Sequence, residues 1–218
     1  MVMNSQREHL ETLNEIRSIM ERSTRFISLS GLSGVAAGIC ALIGAGMAFL
    51  YLDASPFQHS QHYYLTAPTV SKWGLNYLQV FFLDAILVLS AALGLGYFFT
   101  WRRVNRNRQK MWDQTSLRLT INLLIPLVAG GLFCLLLVYH GWLGLVAPST
   151  LLFYGLALVN GSKYTLDDIR FLGLFEIALG LIAMFYIGYG LEFWAIGFVL
   201  LHIVYGIVMY YKYEKNAA

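Results

Sequence analysis

Six stretches of this 218-residue chain are too long and too apolar to be anything but membrane-crossing helices. They run approximately over residues 27–52, 75–101, 116–139, 143–160, 169–189 and 192–211. A helix rises about 1.5 Å per residue, so roughly 20 apolar residues cross a hydrocarbon core of about 30 Å. With 58% hydrophobic and 12% charged residues, the chain has too little polar surface to coat a soluble domain. The expected fold is therefore all-α, a polytopic membrane protein with six transmembrane helices and an N-terminal amphipathic cytoplasmic helix. Its parts are that helix at 1–26, the six-helix bundle at 27–211 and a cytoplasmic tail at 212–218.

The cations orient this bundle. Arg7, Arg17, Arg22 and Arg25 precede the first span. Arg102, Arg103, Arg106, Arg108, Lys110 and Arg118 join the second to the third. Lys163 and Arg170 flank the fourth-to-fifth turn, and Lys212 and Lys215 follow the sixth span. Only Lys72 falls on the other face, so 14 of the 15 cations share one side. Positive loops are retained in the cytoplasm, which sets both termini inside an inner membrane. The net charge of +3 is then a topology signal, and no nucleic acid is needed to explain it. The first span lacks a signal-like cleavage site and serves as its own insertion signal.

Between residues 5 and 25, Leu10, Leu13, Ile16 and Met20 recur at helical spacing, with Glu8, Glu11, Glu15 and Arg22 on other faces. Such a helix either lies on the membrane surface or docks against a partner or a second copy. Span one carries small-residue rows, Ser30, Gly34 and Gly38 beside Ser33, Ala37, Ala41 and Ala45, which serve bundle packing or a homodimer. Span two ends with Ser90, Ala92, Gly94 and Gly96. Pro126 leaves the Asn122 carbonyl without a helical donor, and Pro148 does the same to Gly144. Cys40 and Cys134 lie inside spans and read as packing residues.

Ionisable groups at membrane depth are costly and are the first functional suspects. Counting from span ends, Asp84 lies about 13 Å and His202 about 15 Å below the outer edge. Glu176 and Asn122 each lie about 9 Å above the inner edge. The expectation is two polar layers, Asp84 with His202 and Glu176 with Asn122. Either these form a proton or cation path, or they are hydrogen bonds that pin the helix arrangement. Phe82-Leu83-Asp84 and Leu174-Phe175-Glu176 open spans two and five alike, as inverted three-span halves would.

No hydrolase or zinc signature occurs, so no catalytic set, metal or cofactor is expected. His59 and His62 are three apart in the external connection but lack a third strong ligand. Residues 21–34, Glu-Arg-Ser-Thr-Arg-Phe-Ile-Ser-Leu-Ser-Gly-Leu-Ser-Gly, resemble the opening of an uncharacterised family of small bacterial six-span inner-membrane proteins. That resemblance implies topology and a bacterial source, and it assigns no site residue. The partners implied are the lipid bilayer and a protein partner or homodimer through the N-terminal helix or first span. The leading expectation is a non-enzymatic accessory or sensory component acting through such partners. The alternative is a small transporter or channel using Asp84, His202, Glu176 and Asn122.

Overall fold

The computed structural model describes residues 29–53, 71–108 and 111–215. Six helices account for nearly all of them: α1 (Gly31–Leu52), α2 (Tyr77–Arg106), α3 (Gln114–Tyr139), α4 (Leu143–Tyr164), α5 (Asp168–Phe185) and α6 (Ile187–Tyr213). Five, all but α5, are long and apolar enough to cross a membrane. The exception has 18 residues and carries Asp168, Arg170 and Glu176. The helix expected at 1–26 and the histidines His59 and His62 lie outside the described residues.

Local chemistry sets the helix ends. At α2, the Asn76 side chain accepts from the Gln79 backbone N–H while Gln79 accepts from that of Asn76. Asp113 and Ser116 make the same reciprocal box at α3. Before α2, the two-residue strands β1 (Ser71–Lys72) and β2 (Leu75–Asn76) pair antiparallel across Trp73 and Gly74. Both turn residues have positive φ, 57° and 75°, as a tight hairpin turn requires. Lys72 donates to the Leu50 carbonyl and to Asp53, closing the C-terminal end of α1.

Helices approach where side chains vanish. A Cβ on Gly206 of α6 would lie 2.6 Å from the Val35 nitrogen and 2.7 Å from the Gly31 carbonyl of α1. Gly34 and Gly38 meet the same α6 face. Gly155 and Gly173 cross likewise between α4 and α5, each facing the other's carbonyl. So the small-residue rows of span one are consumed inside the chain, by α6 and by α2. The main packed pairs are α1 with α2, α1 with α6, α3 with α4, and α4 with α5. Pro148 stands in the first turn of the α-helical part of α4, where a missing N–H is tolerated. Pro126 sits inside α3, and the Asn122 carbonyl it orphans accepts from the Asn160 amide at 2.9 Å.

One end of the bundle is held by a buried ion pair. Glu214 accepts from Ser30 Oγ at 3.1 Å and from the Gly31 backbone N–H at 2.6 Å. Ser30 makes no side-chain cap of its own, so the start of α1 is capped from the far end of the chain. Arg103 lies 3.6 Å from Glu214 and donates to the carbonyls of Leu29 and Tyr213. Both charged side chains are buried, and together they join α1, α2 and the end of α6.

Candidate functional site

A second buried polar cluster is built by α4, α5 and α6. Midway along α6 the winding changes: α-helix over Gly190–Ala195, π-helix over Ile196–Leu201, and α-helix again over His202–Tyr213. A π segment loosens the backbone ladder and frees carbonyls. His202 uses one of them, its Nδ1 standing 3.1 Å from the Gly197 carbonyl. A carbonyl only accepts, so Nδ1 carries hydrogen, and in the neutral ring Nε2 accepts from the Tyr154 hydroxyl of α4 at 2.7 Å. Phe198 stacks on the imidazole at 5.7 Å and packs tilted against Tyr154 at 5.0 Å. The ring is thereby fixed on three sides and is 6% exposed.

Glu176 of α5 completes the cluster. Its Oε1 lies 3.5 Å from His202 Nδ1, and the residue has no solvent exposure. Among the described residues neither carboxylate oxygen has a hydrogen-bond partner. Gly197 makes room for it: a Cβ there would lie 2.5 Å from Glu176 Oε2. The buried carboxylate thus stands beside the ring nitrogen that donates to Gly197.

The four sequence candidates do not form the expected two layers. His202 meets Glu176, the partner that counting assigned to the other layer. The helices differ in length, 18 residues for α5 and 27 for α6, so their ends do not share one plane. Asp84 is half-buried on α2 and faces α1, 3.1 Å from where a Gly44 Cβ would stand. Gly34 of the same helix faces the His202 carbonyl, ten residues and so about 15 Å away. Asn122 donates to the Arg118 carbonyl and accepts from Asn160, binding α3 to α4 rather than reaching Glu176.

Tyr154 and Gly197 were missed by counting charges. A tyrosine deep in a span needs a hydroxyl partner, and that was the available signal for Tyr154. Nothing in the sequence marks Gly197 among 20 glycines. Toward the N-terminal end of α6 a cavity of about 220 Å³ is lined by Tyr186, Tyr189, Glu192, Phe193 and Ile196, ending one residue before Gly197. Among the described residues no three His, Cys, Asp or Glu side chains gather as metal ligands. No family model, curated protein or solved structure matches this chain.

Proposed function

We propose that this protein crosses a bacterial inner membrane six times, with both termini in the cytoplasm, and moves protons through a small transport site centred on Glu176 and His202. The carrying observation is the fully buried Glu176 carboxylate, unpartnered except for the imidazole 3.5 Å away. The neutral ring keeps its Nδ1 hydrogen on the Gly197 carbonyl, so a proton it gains enters at Nε2, where Tyr154 turns from donor to acceptor, and the Glu176 carboxylate 3.5 Å from Nδ1 balances the new charge. The centre is this cluster alone; Asp84 and Asn122 fall outside it.

The architecture supports a transporter. The first and second helices of each three-helix half pack together, α1 with α2 and α4 with α5. The third helix of each half packs on the first helix of the other, α3 on α4 and α6 on α1. Inverted halves with a site near midplane are a recurrent transporter plan. Antiparallel packing of α5 along α4, where Gly173 meets Gly155 and Gly180 meets Pro148, supports α5 as the sixth span.

The accessory reading keeps one observation in its favour. Gly94 and Gly96 of α2 have nothing packed on them among the described residues, leaving room for another helix. Proton flux separates the two. The purified chain is reconstituted in liposomes containing a pH-sensitive dye, and a potential is imposed. Transport predicts dye response with wild type, its loss with Glu176→Gln and its retention with Asp84→Asn. Wild-type vesicles as tight as protein-free ones would overturn transport. Native mass spectrometry from the host membrane would then seek a stoichiometric second polypeptide.

A further inference from the structure

The turn between α2 and α3 holds charge that the fold does not use. Arg102, Arg106, Arg108 and Arg118 are exposed, and among the described residues none of them makes an ion pair. Arg103 alone turns inward, to Glu214. Insertion requires positive charge here but does not distinguish lysine from arginine. Yet five of the six cations between 102 and 118 are arginine, whose planar fork matches a phosphate. Trp101 and Trp112 are exposed on either side of the group, at the depth where indoles mark the headgroup layer.

Beside these arginines α2 and α3 leave apolar faces uncovered. They touch at this end, where Val104 packs against Leu119 with Met111 and Tyr164. At the other end Tyr77 packs near Leu143, just beyond α3. Between those contacts the two helices share no packed face. Their apolar side chains, Leu89, Leu93, Ile121 and Val128 among them, remain uncovered by protein.

We infer that this end of α2 and α3 binds an anionic phospholipid, its phosphate held by Arg106 and Arg118 and its acyl chains lying along the uncovered apolar faces. Charge complementarity selects an anionic headgroup, and the apolar faces select a ligand with tails over a free phosphate. The site is independent of the Glu176 cluster, so either proposal can fail alone.

The test places the full chain in phosphatidylcholine nanodiscs doped with phosphatidylglycerol and counts retained lipid by native mass spectrometry. Wild type is expected to retain phosphatidylglycerol over phosphatidylcholine, with a rise in thermal midpoint. Arg106→Gln with Arg118→Gln should lower that retention by about tenfold. Arg170→Gln, at the start of α5, should leave it unchanged. Equal retention of both lipids by wild type overturns the proposal, even if the double variant does not fold.

Discussion

At the scale of single residues, the site depends on an absence, the missing side chain at Gly197. The carboxylate of Glu176 occupies the volume that a Cβ there would take, 2.5 Å from Oε2. Gly197→Ala should therefore displace Glu176 and destabilise the fold by about 1–3 kcal/mol, the usual cost of overpacking. Adding Glu176→Ala should recover part of that loss, because the truncated side chain vacates the same space. Unfolding in mixed micelles measures both variants. Strict additivity of the two changes would mean that Gly197 and Glu176 do not compete for that volume. Depth counting identified Glu176 and His202 as polar residues but not as neighbours. Position along a helix gives height only when the helices have equal ends and tilt. Here a 27-residue α6 with a π segment crosses an 18-residue α5, and the count misregisters the pair.

At the scale of helices, the bundle is closed by contacts between its chain ends, which hydropathy does not reveal. The sequence places Glu214 in a tail and Arg103 among topogenic cations. The structure instead buries both, the carboxylate capping α1 and the guanidinium bridging to Leu29 and Tyr213. Removing one partner strands a buried charge. Glu214→Ala should cost about 3–5 kcal/mol, while the double change Arg103→Met with Glu214→Leu should cost much less. A loss below about 1 kcal/mol for Glu214→Ala would show that water or lipid already neutralises Arg103. Other element-level features were legible. Pro126 announced an orphaned carbonyl at Asn122, and its donor, Asn160, lies on the neighbouring α4. The crossings of α1 with α6 also run through small residues that the sequence set in rows, although Gly31 and Gly206 complete the seam.

At the scale of the whole molecule, the all-helical, membrane-suited architecture was readable because apolar length is itself the physical requirement for crossing lipid. The arrangement of those helices was not, since lipid-facing and partner-facing apolar residues look alike in sequence. Charge placement makes the remaining prediction. Arg103 stands with Leu29, Ser30 and Glu214, while Asp168 accepts from Lys212 and Tyr213. The ends of α2 and α6 and the starts of α1 and α5 therefore lie on one side of the bundle. Six crossings require Asn107 and Lys163 on that side, with Trp73 and Gly141 on the opposite one. Single cysteines at those four positions, in a Cys40→Ala Cys134→Ala background, can be probed with an impermeant maleimide on intact cells. Trp73→Cys and Gly141→Cys should label at once, and Asn107→Cys and Lys163→Cys only after the membrane is opened. Labelling of Lys163→Cys from outside would mean that α5 does not cross between α4 and α6. The Glu176–His202 cluster would then no longer sit across the barrier that a proton site must bridge.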